Sequence, residues 1–318
     1  MAQRFYQSLS QPQMVQRDLQ KQLFKQLVQS DYGQSLNIDS IDDWQKIPLV
    51  TYETLHSWIE AKNSLTSEPV LFYEETSGSS GPAKLIPYTR SLRKSFNTLF
   101  CIWAYDLIVN GPRFETGKIY MCISPKLLAP GDVSTGLQDD SDYLDLWLRW
   151  LLKPFLVSPP NAHKPQTPEV FQANLCRTLL LAENLETISV WSPSFLRVQL
   201  DYIQTHRKAL RSQLTRLSPE RSQLLTAETI HWEALWPKLK LISCWDSALA
   251  ADQVSNLQAS FPNTLIQGKG LLATEAPMTV PLINANGCVP LLGEVFFEFE
   301  NSAGQIYWLH ELTIGQTY

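Results

Sequence analysis

Seven residues within a short stretch, Thr76, Ser77, Gly78, Ser79, Ser80, Gly81 and Lys84, combine hydroxyls, glycines and one ammonium. Glycines let successive backbone N–H groups turn toward one point, the hydroxyls add donors, and Lys84 brings a positive charge, so the stretch suits a polyphosphate. The same composition also makes an ordinary Ser/Gly turn, and both readings stand at this level. The Walker pattern fails, because it needs Gly-Lys followed by Ser or Thr and a helix, whereas Lys84 sits between Ala83 and Leu85 with strand-like flanks. A nucleophile elbow fails as well: G-x-S-x-G does not occur there, and no histidine is placed by spacing to act as its base. His231 and the other histidines have no partner suggested by spacing and read as structural or exposed.

The elements that must position this stretch follow from hydrophobic periodicity. After Pro12, apolar residues at Val15, Leu19, Leu23 and Leu27, widened by Phe24 and Val28, predict an amphipathic helix packed on the main body. A Pro-containing turn leads into a second short helix at 53–61. From residue 70 onward, short apolar runs alternate with helical segments, which predicts a layered α/β fold with parallel or mixed sheets. Strands are expected at 70–73, 84–88, 118–123, 187–191, 239–244, 264–267 and 293–299, and helices at 91–108, 142–152, 169–182, 194–206, 233–236 and 251–260. Crossovers of this length favour parallel pairing. The polar stretch 208–229 reads as a surface helical insertion, and Trp147, Trp150, Trp191, Trp232 and Trp236 read as core more than as pocket lining. Further strands at 305–309 and 311–314 begin a small sheet that the chain does not finish, which predicts a truncated chain or gene fragment. The expected organisation is a helical segment at 1–62, a nucleotide-binding α/β region at 63–290 and an incomplete β-subdomain at 291–318.

Bulk composition narrows the partners. A formal net charge of -5 and the lack of Lys/Arg runs interleaved with aromatics argue against nucleic acid. Five cysteines, widely spaced and without a C-x-x-C pair, read as small hydrophobes in a reducing cytoplasm. The N-terminus is too polar for a signal peptide, and the apolar stretch 143–157 carries Asp145, Arg149 and Lys153, so no membrane span is expected. No heptad seam occurs, which favours a monomer.

Two motifs in the correct order resemble a known family. Residues 75–89, Glu-Thr-Ser-Gly-Ser-Ser-Gly-Pro-Ala-Lys-Leu-Ile-Pro-Tyr-Thr, are similar to the phosphate-binding motif of the acyl-adenylate-forming superfamily. Their Ile86-Pro87-Tyr88-Thr89 tail resembles the auxin-responsive acyl-acid amido synthetases in their bacterial form. Residues 267–275, Gln-Gly-Lys-Gly-Leu-Leu-Ala-Thr-Glu, resemble the superfamily's Y-G-x-T-E element, with weaker agreement at 47–52, 123–125, 190–196 and 244–245. The resemblance implies the large N-terminal domain of an acyl-adenylate-forming enzyme, with the C-terminal part absent.

It also implies roles. Thr76, Ser77, Gly78, Ser79, Ser80, Gly81 and Lys84 would hold the β- and γ-phosphates of ATP; Glu275 would bind Mg²⁺; Thr274 would contact the α-phosphate; Lys269, Gly270 and Leu271 would border the adenine. Lys84, Thr274 and Glu275 would carry the catalytic step. Leu271 replaces the aromatic residue of the superfamily element, leaving adenine an aliphatic surface. The implied reaction makes an acyl adenylate from ATP and a small carboxylic acid, then an amide with an amine or amino acid. An acyl-CoA ligase using the same adenylate and a non-catalytic nucleotide- or partner-binding fragment are the alternatives. Such relatives continue into a Y-R-Y-R-x-G-D element whose Asp grips the ribose, so the chain alone is expected to turn over little or not at all.

Overall fold

The computed structural model describes residues 1–61, 64–76, 84–122, 146–160, 162, 167–247, 250–285 and 287–318. Ser77, Gly78, Ser79, Ser80 and Gly81 therefore lie outside the described residues, as does the stretch 123–145. The chain groups into two units, one of Met1–Tyr105, Leu271–Val280 and Val289–Tyr318, the other of Asp106–Gly270 and Pro281–Cys288. These packing boundaries fall at different places from the expected partition at 62/63 and 290/291.

The first unit opens with helices α1 (Ala2–Ser8), α2 (Pro12–Leu27) and α3 (Asp31–Ser35), a 3-10 turn over Ile41–Lys46, and α4 (Tyr52–Glu60). Pro12 sits in the first turn of α2, where its missing N–H costs nothing. The buried face of α2 is Gln16, Leu19, Gln20 and Phe24, rotated from the purely apolar stripe toward two glutamines. Gln16 explains the rotation. Its Nε2 donates to Leu292 O (2.6 Å) and Val295 O (2.8 Å), and its Oε1 accepts from Phe297 N (2.9 Å). Strands β1 (Val70–Glu75) and β2 (Leu85–Thr89) follow as an antiparallel pair, then α5 (Arg90–Asn110) begins directly after β2. The start of α5 is held by Thr89 Oγ1, which accepts from Leu92 N (3.2 Å), and by Glu68, which accepts from Ser91 N (3.1 Å).

In the second unit, β3 (Lys118–Met121), α6 (Leu146–Leu152), α7 (Pro168–Leu181), β4 (Leu185–Ser189), α8 (Pro193–Gln213), α9 (Pro219–Leu224), α10 (Trp232–Leu235), β5 (Leu241–Cys244), α11 (Ala251–Ser260) and β6 (Leu265–Gly268) alternate as expected. The strands form one parallel sheet in the order β3-β4-β5-β6. Every residue of β4 and β5 is buried, as strands covered on both faces must be. Helix starts are encoded locally: Thr167, Ser192 and Ser218 cap α7, α8 and α9 just ahead of Pro168, Pro193 and Pro219. His231 caps α10, its Nδ1 accepting from Ala234 N (3.2 Å), which is the structural role expected of it.

Three expectations need correction. The stretch 208–229 is not a surface insertion. Leu210, Leu214, Arg221 and Leu225 are all buried, and Arg221 donates to the carbonyls of Leu235 (2.8 Å) and Leu180 (2.7 Å), so polar composition hid a core-facing stripe. Trp150 is 78% exposed, not core, whereas Trp236 is buried with its indole N–H on Leu179 O (2.8 Å). Trp147 lies where no side chain is described.

The third correction concerns the chain's end. After the short strands β7 (Thr279–Pro281) and β8 (Cys288–Pro290), only β9 (Glu298–Glu300) and β10 (Ile306–Trp308) form, as an antiparallel hairpin. The stretch 293–297 is not a strand, because Gln16 takes the backbone groups of Val295 and Phe297 that a neighbouring strand would pair. Residues expected as a strand at 311–314 instead follow a 3-10 turn, Leu309–Glu311, closed by Glu311 Oε2 accepting from Trp308 N (2.8 Å).

Candidate functional site

The β1–β2 hairpin presents the residues on either side of the glycine-rich stretch. Thr76 N donates to Lys84 O (2.9 Å), and Lys84 N donates to Thr76 Oγ1 (3.1 Å), so the two ends of the stretch are bonded together at its base. The Lys84 ammonium is half exposed and faces two residues at the start of α4. It lies 3.3 Å from Glu53 Oε1 and 5.1 Å from the centroid of the Tyr52 ring.

The downstream motif forms a tight turn in the same unit. Leu271 N donates to Thr279 Oγ1 (2.7 Å), Leu272 bridges Pro277, and Ala273 and Ala276 exchange backbone bonds at 3.0 and 3.2 Å. Thr274 and Glu275 are therefore the tip of a closed turn, with Glu275 exposed and its carboxylate accessible. Tyr88 joins this turn to the hairpin. Its ring is fully buried, stacked on Phe72 (4.9 Å) and Phe96 (6.1 Å), and its hydroxyl donates to Thr274 O (2.8 Å) across 186 residues of sequence. Tyr88 lies four positions beyond Lys84, about 13 Å at the usual rise of extended backbone.

The structure thus brings Thr76, Lys84, Leu271, Thr274 and Glu275 into one unit. Lys269 and Gly270 belong to the other. Lys269 is buried at the carboxyl end of β6, its Nζ 2.7 Å from Ser189 Oγ and 5.2 Å from the Trp191 ring centroid. Gly270 has φ +72°, a left-handed conformation that favours glycine. At Gly268 a Cβ would come within 2.1 Å of Asp246 Oδ2, so the carboxylate of Asp246 lies across a position that must lack a side chain. Burial pushes the thiol of Cys176 up to about 12 and that of Cys244 up to about 11, which keeps both protonated.

The GH3 family N-terminal domain matches residues 1–266. This chain belongs to the GH3 family. No curated protein matches its sequence. Among solved structures it is similar to "AtGH3.15 acyl acid amido synthetase in complex with 2,4-DB", with a TM-score of 0.79 at 18% identity, covering 95% of this chain and 61% of that one. A structure described as "GH3.15 acyl acid amido synthetase" has a TM-score of 0.69 at 18% identity, covering 96% and 61%. At this identity the likeness establishes the fold, and the α/β architecture expected from the sequence is borne out. The chain spans 61% of the length of these solved relatives.

For this GH3 chain the sequence left three contributors unassigned: Tyr88 as the tie between motifs, and Tyr52 and Glu53 at the lysine. Tyr88 stood inside a quoted motif, but its partner is far away in sequence, and no local signal names it. Among the described residues no group of three or more His, Cys, Asp or Glu could hold a metal ion. A single accessible carboxylate fits Mg²⁺ only when phosphate oxygens complete the shell, which is how that ion is commonly held in nucleotide sites. Also among the described residues, no helix is long and apolar enough to cross a membrane. A cleft of about 950 Å³ in the first unit, lined by Leu23, Trp44, Ile47, Leu49, Glu298 and Ile306 among others, contains none of the residues singled out for chemistry.

Proposed function

We propose that this chain is the ATP- and acid-binding part of an acyl-acid amido synthetase. The observation that carries the reading is the Tyr88–Thr274 bond, which fastens the strand leaving the phosphate motif to the turn bearing Glu275. The synthetase names of the solved relatives support the reaction class. A carboxylate oxygen of the acid attacks the α-phosphorus, the bond to the bridging oxygen breaks, and pyrophosphate leaves. An amine nitrogen then attacks the acyl carbon, AMP departs, and the amine proton passes to solvent. Both partners of the first step are anions, so the site must neutralise charge before they meet. Lys84 faces the β- and γ-phosphates together with the hydroxyls and amides of 76–81, while Thr274 contacts the α-phosphate and Glu275 would hold Mg²⁺. That ion supplies charge neutralisation on the phosphate oxygens. Positioning and electrostatics suffice, with no protein nucleophile. Lys269, Gly270 and Leu271 border the adenine in this reading, and buried, protonated thiols such as Cys176 suit a reducing cytoplasm.

Calorimetric titration of this chain tests the proposal without requiring turnover. Mg²⁺–ATP and a panel of acyl-sulfamate analogues of adenosine, made from aryl and alkyl acids, are the ligands. Lys84→Ala should weaken ATP by about 10- to 100-fold, the usual loss for one charge-assisted contact, and leave the sulfamates, which lack β- and γ-phosphates, nearly unchanged. An unchanged ATP affinity in Lys84→Ala, or no binding of any sulfamate, refutes the assignment.

A further inference from the structure

Nothing in the proposed reaction accounts for the residues that meet Lys84 from α4. Thr51 caps that helix through a reciprocal pair, Thr51 N on Thr54 Oγ1 (3.0 Å) and Thr54 N on Thr51 Oγ1 (3.4 Å), which fixes the direction of its first turn. Tyr52 and Glu53 are the first two residues of that turn, and three contacts run from them to Lys84 and to Leu85, the first residue of β2. The Tyr52 hydroxyl accepts from Leu85 N (2.9 Å), the Tyr52 ring lies 5.1 Å from Lys84 Nζ, and Glu53 Oε1 lies 3.3 Å from the same nitrogen. The Glu53 carboxyl is held below its ordinary range by its own backbone amide, then by Thr51 and by Lys84.

We infer that Tyr52 and Glu53 are a holder for the phosphate-contacting lysine: Tyr52 sets where the Lys84 ammonium sits, and Glu53 occupies it until a polyphosphate takes the carboxylate's place. This rests on the reading of Lys84 as a phosphate ligand. The chemistry requires both parts. A free lysine has many rotamers to lose on binding, and an aromatic face restricts the ammonium without neutralising it. A carboxylate satisfies the charge while the site is empty, and because both side chains are well exposed (41% for Lys84, 71% for Glu53) the pair is weak enough to be exchanged. The carboxylate then lies beside an incoming polyanion and opposes it. The two neighbours thus have opposite effects: Tyr52 is a positioning residue that favours binding, and Glu53 competes with it.

The opposition of sign is the test, because misfolding can only weaken binding. The chain is titrated with inorganic triphosphate and with ATP, each with Mg²⁺, and melting temperatures are recorded for every variant. Glu53→Gln should bind triphosphate about two- to five-fold more tightly, the range of an exposed ion pair. Tyr52→Leu should bind about three- to thirty-fold more weakly, through loss of the amide bond and the ring face, with Tyr52→Phe between it and wild type. Glu60→Gln, which removes an equal charge from the exposed side of the same helix where Glu60 pairs with His56, should change little. In a Lys84→Ala background the Tyr52 effect should vanish and the Glu53 effect should shrink to the direct repulsion between its carboxylate and the polyanion. Weaker or equal binding by Glu53→Gln, equal binding by Tyr52→Leu, or persistence of either effect at full size without Lys84 overturns the inference. If wild type binds neither ligand, the phosphate-site reading falls and takes this one with it. If wild type binds and Lys84→Ala weakens it while the α4 variants do nothing, the holder alone is wrong.

Discussion

Replacing Glu186 by Gln should destabilise the second unit strongly and make its stability less dependent on acid. The Glu186 side chain is wholly buried in β4, where its carboxylate accepts from the backbone amides of Glu115 (2.8 Å), Thr116 (2.7 Å) and Gly117 (2.6 Å), from the Thr116 hydroxyl (3.0 Å), and pairs with Lys240 (3.2 Å). Burial pushes this carboxyl upward, but the three amides and Lys240 outweigh it and hold it down to about 2, from an ordinary 4.5. That lowering corresponds to about 3 kcal/mol of native-state stability. Because the folded-state value is depressed, the contribution is complete above about pH 4.5, falls by about half near pH 3, and is lost as the pH drops through 2. Gln keeps one acceptor but turns an NH₂ toward donors, so most of the contribution should disappear at pH 7. At about 2–4 °C per kcal/mol, the melting temperature should drop by roughly 6–12 °C. Scanning calorimetry of wild type and Glu186→Gln between pH 7 and pH 3 reads both quantities. A variant melting within about 2 °C of wild type at pH 7, or a gap that does not narrow toward pH 3, refutes the assignment of stability to this carboxylate.

Gln16→Ala strips partners from the carbonyls of Leu292 and Val295 and the amide of Phe297, at about 1–3 kcal/mol for each group left buried and unpaired; a lower urea midpoint and faster exchange of the Phe297 amide are expected, and unchanged exchange would show that water replaces the glutamine. Leu271→Tyr places an aromatic ring at a position 58% exposed beside the Thr274 turn, and should tighten ATP by about 2- to 10-fold through stacking while leaving inorganic triphosphate unaffected; equal gains for both would remove Leu271 from the adenine side of the site. Tyr88→Phe keeps the stack on Phe72 and Phe96 but loses the bond to Thr274 O, costing about 0.5–1.5 kcal/mol in a urea melt and weakening Mg²⁺–ATP in parallel; a stability loss with no change in ATP affinity would separate the tie from the site.

What was legible in the sequence divides by the range of the interaction. The parallel sheet could be read because each of its strands is a short apolar run, and covered strands need no further specification. Helices α7 and α8 could be read because their starts are marked locally, Thr167 and Ser192 capping them and prolines following at once. The failures share a different cause. Apolar periodicity expects a helix to bury its leucines, but α2 turns Gln16 inward to bond the backbone of Val295 and Phe297, groups nearly three hundred residues away that no local signal names. The same bonds remove the first part of the strand expected at 293–299. In 208–229 the buried Arg221 reads as surface by composition, since nothing local reports the two carbonyls that receive it.

The candidate site shows the same division more sharply. Residue types within 76–84 fit a polyphosphate and equally an ordinary turn, and the roles of Thr274 and Glu275 come only from the resemblance. Whether the two stretches meet is a property of neither. The meeting depends on Tyr88, whose alternation with Ile86 on β2 turns both side chains to the buried face, so that the ring is clamped by Phe72 and Phe96 and the hydroxyl has one direction left to point. A buried phenol must find an acceptor or cost free energy, and the carbonyl of Thr274 meets that demand. The pressure to satisfy a core tyrosine therefore also holds the Glu275 turn against the strand that leaves the glycine-rich stretch, and in the proposed reading a stability requirement and a functional one meet in a single hydrogen bond.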